Sequence, residues 1–252
     1  MSHQSLLRHR LIARTARLER YSSRIGLNAP YLAWQLEAFR SHLGHRILEV
    51  GCGVGGIIEQ LGPRELIFGV DVEPEVLDYA AERYRDRPEC QFELLDLTDS
   101  CQSRLDDLRA MRFDTVICIN ALEHMADDRL AMQRMSWLLP PQGVVALLVP
   151  AHPSLFGNYD RLDGHYRRYT RESIGELAAA AGFAILQLRH FNALGAVGWW
   201  VQYRLLRRAQ HGATHFGIMN RLIPACRLLE RLAPPPFGLS LIAVLRKQEH
   251  RS

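Results

Sequence analysis

The stretch Ile47-Leu48-Glu49-Val50-Gly51-Cys52-Gly53-Val54-Gly55-Gly56 decides the reading of this chain. A short apolar run ends in an acid, a glycine-rich turn follows, and Ile57, Ile58 and Leu61 then fall at helical spacing. That is a strand, a tight loop and a helix start. Glycine tolerates positive φ and puts no Cβ in the way of a close ligand. A helix N-terminus favours electron-rich groups. The loop reads as a holder for a nucleoside cofactor.

Outward from this loop, short apolar runs alternate with helical segments. Strands are expected at 46–50, 66–71, 91–95, 113–119 and 143–149. Helices are expected at 54–61, 74–86, 102–110 and 121–138. Repeated strand–helix–strand units argue for a parallel sheet with helices on both faces. Runs such as Val144 to Val149 are apolar throughout, as buried parallel strands are. Pro74 suits a first helical turn, and Asn120 with Glu123 has the spacing of a capping box. Residues 151–170 carry no clear period and read as a long loop of the kind that serves as a lid. A helix at 171–181, a strand at 183–190, two helical pieces within 193–232 and a last strand at 239–245 complete the pattern. Ahead of it, 5–23 reads as a basic amphipathic helix and 31–43 as a second helix, separated by a turn at Gly26 to Pro30.

Composition sets the outer bounds. The 252 residues fit one α/β domain with an appendage, and 48% hydrophobic with 23% charged residues suits a globular protein. The net charge of +4 is too small to argue for nucleic acid. The five cysteines are odd in number and form no CxxC, so neither a zinc site nor a disulfide framework is indicated. A reduced, cytoplasmic setting is the default. No apolar run approaches the roughly 20 residues that span a bilayer. The arginine-rich N-terminus lacks a secretory apolar core and reads as part of the protein.

Two further acids sit where a nucleoside ligand needs them. Asp71 ends the second strand, where an acid binds ribose hydroxyls. Asp96 ends the third, where a carboxylate can accept from an exocyclic amine. Each feature alone has a plainer reading, a tight turn or a solvated strand-end acid. Together they follow the carboxyl ends of successive parallel strands, where open α/β sheets bind ligands. Gly51, Gly53 and Gly56 also satisfy a dinucleotide GxGxxG spacing.

The full string Glu49-Val50-Gly51-Cys52-Gly53-Val54-Gly55 resembles motif I of the class I S-adenosylmethionine-dependent methyltransferases. So do Gly69-Val70-Asp71-Val72-Glu73-Pro74-Glu75, Leu94-Leu95-Asp96-Leu97, and Phe113-Asp114 running on to Asn120-Ala121-Leu122-Glu123-His124. The last string is similar to the ubiquinone-biosynthesis-like, small-molecule branch. The resemblance covers roughly residues 45–190. It implies a Rossmann-like, seven-stranded, mostly parallel sheet with helices on both faces and an antiparallel last strand. The methyltransferase domain would run over 45–252, with 1–44 an N-terminal helical extension and 192–236 a helical insertion before the last strand. The cofactor would be S-adenosyl-L-methionine. Glu49, Gly51, Cys52, Gly53 and Gly55 would hold its methionine part, Asp71 with Val72 its ribose, and Asp96 with Leu97 its adenine, with Asn120 beside them.

The candidate catalytic residues follow the fourth and fifth strands. His124 stands at the carboxyl edge, and its reference pKa suits proton transfer; its alternative role is to orient the loop. Glu123 reads as a cap. The string Gly164-His165-Tyr166-Arg167-Arg168-Tyr169-Thr170 resembles a segment that covers the substrate in the same branch. His165 is a second candidate base, and Arg168 can pair with a carboxylate or phosphate. His152, Tyr159 and Tyr166 complete the expected acceptor site. The alternative is internal: arginine–aspartate pairs that order the loop, with Thr170 capping the next helix. No clustered carboxylates or His-x-His spacing suggest a metal, and none is expected.

Trp199, Trp200 and Tyr203 lie beside Arg204, Arg207 and Arg208. They read as helices packed on the sheet, a lid or dimer surface, or a basic interfacial segment touching a membrane. The protein is expected to be a monomer or homodimer. The reading that gathers most features is a small-molecule methyltransferase, O-directed, acting on a hydroxyl or carboxyl in secondary or lipid-linked metabolism. The alternatives are a nicotinamide-dinucleotide oxidoreductase, for which the single lysine, Lys247, leaves no Tyr–Lys pair, and a non-catalytic nucleoside-binding protein. The amine-methylating Asn/Asp-Pro-Pro-Tyr motif of nucleic-acid enzymes is absent.

Overall fold

Apolar runs without polar interruption fold into strands that are covered on both faces. In the computed structural model, which describes residues 25–199 and 213–249, successive strand residues enter opposite cores. Ile47, Ile67, Ile117, Ala146 and Val244 pack on one face. Their neighbours Leu48, Phe68, Val116, Val145 and Leu245 pack on the other. This is the two-residue period of a strand buried on both sides.

The elements, in chain order, are α1 (Ile25–Glu37), β1 (Arg46–Val50), α2 (Ile58–Leu61), β2 (Leu66–Asp71), α3 (Pro74–Arg83), β3 (Cys90–Leu94), α4 (Gln102–Ala110), β4 (Thr115–Ile119), α5 (Asp128–Leu138), β5 (Val144–Pro150), α6 (Asn158–Asp163), α7 (Arg171–Ala180), β6 (Phe183–Phe191), α8 (Ala193–Trp199), α9 (Ala213–Leu232) and β7 (Ser240–Lys247). The sheet order is β3-β2-β1-β4-β5-β7-β6. β1 to β5 pair in parallel, and β7 runs antiparallel between β5 and β6. The expected seven-stranded, Rossmann-like sheet with its antiparallel last strand is the observed one. The carboxyl ends of β1 to β6 and the start of β7 share one edge.

Several local expectations are corrected. The turn expected at Gly26 to Pro30 lies inside α1, with Pro30 in the helix. Trp34 packs on Phe191 at 4.3 Å between ring centroids, and this tertiary contact outweighs the turn signal. The helix expected from 54 is assigned only over Ile58–Leu61, because Gly55 takes φ +76°. The helix expected over 121–138 is a 3₁₀ turn, Leu122–His124, then an extended Met125, then α5. Asp127 caps α5 by accepting from the Leu130 N–H at 2.9 Å. Residues 151–170, expected to be irregular, contain a 3₁₀ turn at Pro153–Leu155 and α6. The expected helix at 5–23 and the aromatic–arginine stretch from Trp200 to Arg208 lie outside the described residues. Among the described residues, no helix is long and apolar enough to cross a membrane.

Asp114 fixes where β1 begins. Its Oδ2 accepts from the His45 and Arg46 N–H groups at 2.8 and 3.0 Å, and its Oδ1 accepts from the Thr115 hydroxyl. Asp114→Ala strands these donors and is expected to lower stability by about 1–3 kcal/mol. A denaturant titration checks this, and an unchanged midpoint would contradict the role.

Candidate functional site

The glycine turn leaves β1 at Gly51. Its N–H and that of Cys52 both donate to Val70 O, at 2.8 and 3.1 Å, which holds the turn against the tip of β2. Gly51 has φ +74°, and a Cβ there would lie 2.5 Å from that of Ala121. Gly53 also has positive φ, but a Cβ there would meet nothing within 4 Å. The surface over Gly53 is therefore an open cradle.

Asp71 is held below this cradle. Its Oδ2 accepts from the Gly53 N–H at 2.8 Å and its Oδ1 from the Glu73 N–H at 3.1 Å. Val72 beside it is 59% exposed and offers a flat apolar surface. Glu49 is buried, and its Oε2 has no hydrogen-bond partner. Burial first, and then the Asp71 charge, push its carboxyl well above the usual range. Tyr84, which the sequence reading did not single out, braces the turn by donating to Gly55 O at 2.6 Å. Burial raises its phenol to about 12, so it stays a donor.

Two expected cofactor residues stand differently. Cys52 is buried, and its Sγ packs toward Gly69, so it has only its backbone to offer a ligand. Leu97 is 2% exposed and belongs to the apolar core. Its side chain is spent on packing, so like Cys52 it has its backbone to offer an adenine. Asp96 is exposed at the end of β3, and its Oδ1 accepts from the Thr98 N–H and hydroxyl, both at 2.7 Å.

The acceptor edge follows β4. Asn120 is exposed with φ +51°, a left-handed conformation that asparagine tolerates better than most residues. This geometry replaces the expected capping box. Glu123 is not a cap. It is 1% exposed, and its Oε2 is buried without a hydrogen-bond partner. Burial lifts its carboxyl to about 7, with His165 pulling the other way.

His124 is exposed, and its ring meets that of His165 edge-on at 4.6 Å. His165 Nδ1 lies 3.1 Å from Asp160 and its Nε2 lies 3.4 Å from Asp163. Burial opposes its charge, yet the two aspartates outweigh burial and lift the imidazole to about 9. At neutral pH this ring is a cation, which is the wrong protonation state for a base.

Arg168 is a further correction. It does not face a ligand, because its side chain is 1% exposed and its Nε donates to Asp160 at 2.7 Å. Its Nη1 donates to Ala151 O, and Trp199 covers its guanidinium at 4.6 Å. Asp160 also accepts from the Gly157 N–H at the start of α6. The internal arginine–aspartate reading of this loop is the observed one, with Thr170 capping α7 by accepting from the Ser173 N–H at 3.1 Å.

Of the remaining acceptor candidates, Tyr166 is 59% exposed. Tyr159 meets Trp199 edge-on at 5.0 Å, and His152 stacks on His190 at 5.1 Å. A Glu123 oxygen and ring nitrogens of His124 and His165 come within 4.8 Å of one another. Sequence spacing gave no sign of this grouping, because it forms only when the 157–170 loop folds onto the end of β4.

This loop makes stability depend on pH. His165 is raised from 6.5 to about 9 in the folded protein, so its contribution is complete below 6.5 and lost as pH rises through 9. Glu123, raised from 4.5 to about 7, also favours the folded state when protonated and removes stability as it ionises. Hydrogen-exchange protection of the Tyr166 amide, which donates to Glu123 O at 2.8 Å, is expected to fall between about pH 4.5 and 9, first as Glu123 ionises and then as His165 loses its proton. His165→Gln flattens the upper part of that fall. Constant protection in the parent protein would contradict the assignment.

A family model described as a methyltransferase domain matches residues 6–188. Glycine N-methyltransferase of Mus musculus is 31% identical over 131 residues, 47% of this chain and 45% of that protein. Ubiquinone biosynthesis O-methyltransferase of Coxiella burnetii is 28% identical over 102 residues, 40% of this chain and 41% of that protein. The chain thus matches less than half the length of these curated relatives. Among solved structures, the N-methyltransferase NodS of Bradyrhizobium japonicum, in complex with S-adenosyl-L-homocysteine, superposes with a TM-score of 0.53 at 16% identity, over 92% of this chain and 87% of that one. That likeness is one of fold. With the family model over most of its length and the glycine cradle at the end of β1, the chain belongs to the class I S-adenosylmethionine-dependent methyltransferase family.

Proposed function

We propose that the protein transfers a methyl group from S-adenosylmethionine to oxygen of a small molecule, a hydroxyl or carboxyl in secondary or lipid-linked metabolism. The observation that carries this reading is Asp71, fixed by Gly53 and Glu73 below an open cradle and beside the unpartnered Glu49 oxygen. The fit is chemical. Asp71 keeps lone pairs for two ribose hydroxyls, and Glu49 accepts from a cationic group such as an α-ammonium. Asp96 remains at the end of β3 for an exocyclic amine. When bound, this cofactor supplies an electrophilic methyl on a charged sulfur.

The chain's part is to position and to handle a proton. Orientation of the two reactants is worth up to roughly 7–11 kcal/mol in favourable cases. His124, exposed at the acceptor edge, is placed to take the acceptor's proton. The charged His165, held by Asp160 and Asp163, orients the loop. Because both of its ring nitrogens already face aspartates, we read the Glu123–His124–His165 grouping as handling protons, with no metal. The unpartnered Glu123 oxygen also suits an amine acceptor, which makes N-transfer the second reading. The oxidoreductase reading fails on Lys247, whose Nζ donates to Leu139 O at 2.6 Å, at the sheet edge opposite the cradle.

Calorimetry with S-adenosylhomocysteine tests the cofactor assignment. Asp71→Ala is expected to weaken binding about tenfold or more, from two lost charge-assisted hydrogen bonds. A folded parent protein that binds nothing at millimolar ligand would sink the reading. For the chemistry, His124→Gln is expected to lower kcat by about 10²-fold with S-adenosylhomocysteine affinity unchanged. Full turnover would remove His124 as the base.

A further inference from the structure

The carboxyl edge of the sheet carries a second concavity, on the far side of β5 from the glycine cradle. The chain leaves β5 through the Pro153–Leu155 turn, leaves β6 into α8, and enters β7 past Phe237. Backbone bonds lay these three segments side by side. The Ala151 N–H donates to Leu239 O at 2.9 Å, and the Leu239 N–H donates to Asn192 O at 3.0 Å. Between them is a cavity of about 300 Å³ lined by His152, Ser154, Leu155, Ala196, Val197 and Phe237.

Its lining has no carboxylate, lysine or arginine. Val197 and Phe237 are still 49% and 45% exposed, as is Leu194 on the same helix at 46%. Large apolar side chains left in water around a concavity mark a place for an apolar ligand. The polar wall is the His152 ring, stacked on His190 with 18° between planes. Burial, then His152 and Arg171, hold the His190 imidazole low, so it is uncharged at neutral pH. His152 has φ +60°, a strained conformation for a residue other than glycine, and its N–H is fixed on Tyr169 O at 3.0 Å.

We propose that this cavity is the subsite for an uncharged apolar end, alkyl or aryl, of the methyl acceptor, whose nucleophilic end lies at the His124 edge. Two observations join the cavity to that edge. His152 follows β5, the neighbour of β4, and β4 leads into the turn that carries His124. Trp199, at the end of α8, lies over Arg168 and against Tyr159, so the helix that walls the cavity is fastened to the loop around His165. A cavity of this size stands at the small end of ligand pockets, of about 300 Å³ upward, and so takes one end of an acceptor. Another concavity, between α1 and α9, has different chemistry. Its arginines are already answered, Arg227 and Arg231 by Glu37 and Arg189 by Glu230.

The occupant's role as acceptor rests on the methyl-transfer reading, so the test separates the two. Binding of N-phenyl-1-naphthylamine, an uncharged fluorescent probe, is measured with displacement by 1-dodecanol. S-adenosylhomocysteine binding is measured on the same samples. Val197→Asp and Phe237→Asp place a charge at exposed lining positions that tolerate it. Each is expected to weaken probe binding about tenfold or more, because the probe cannot solvate the carboxylate. Leu228→Asp and Leu232→Asp, on the exposed face of α9, are expected to leave it within about twofold. Protein that binds S-adenosylhomocysteine but not the probe overturns the subsite alone. Probe binding that survives both lining variants, or that is lost in the α9 variants, overturns it as well. Probe binding at the cavity without S-adenosylhomocysteine binding overturns the methyl-transfer reading, and with it the acceptor role.

Discussion

The hydrogen bond from the Gly53 N–H to Asp71 joins the turn after β1 to the tip of β2. Everything at the cofactor edge follows from that constraint. The turn can reach Asp71 only because Gly51 passes close to Ala121 with a positive φ that a side chain would oppose. Both Asp71 oxygens are oriented by backbone donors, from Gly53 and Glu73, which is what the proposed ribose contact would need. Preorganised acceptors of this kind lose little entropy when a ligand arrives. Glu49 remains as the unsatisfied group, and a buried acceptor without a partner costs stability unless a ligand completes it.

The acceptor edge is organised on a different principle. Two cations, His165 and Arg168, are answered by Asp160 and Asp163 beneath the 157–170 loop. Glu123 is the carboxylate of this group whose buried Oε2 has no such answer. Removing one partner of a buried ionic set strands the others, which makes such sets costly to disturb. The loop is thus held firmly over the end of β4, and its one chemically unfinished group lies beside the exposed His124. Trp199 extends the same set to α8 through the Arg168 guanidinium.

The cofactor half was largely legible in the sequence because its determinants are local. Glu49 to Gly55, Asp71 and Asp96 each stand at the end of a strand that the apolar pattern marks. Spacing did not show that the Leu97 side chain belongs to the core, because an apolar residue beside a strand end serves a core as readily as a ligand. The acceptor half was not legible in the same way. Asn120 and Glu123 have capping-box spacing, and only the left-handed backbone at Asn120, followed by a 3₁₀ turn, shows that no α-helix starts there. Arg168 has the look of a ligand-binding arginine until Asp160, in a helix the sequence did not mark, is folded against it. Contacts between segments far apart in the chain decide these cases, and residue spacing does not carry them.

An amide-resolved NMR titration with S-adenosylhomocysteine tests the central assignment most directly. The largest shifts are expected at Gly51 to Gly55, at Asp71 to Glu73 and at Asp96 to Thr98, with smaller ones at Asn120. Shifts absent from the glycine turn, or confined to α9, would contradict a cofactor site at the end of β1.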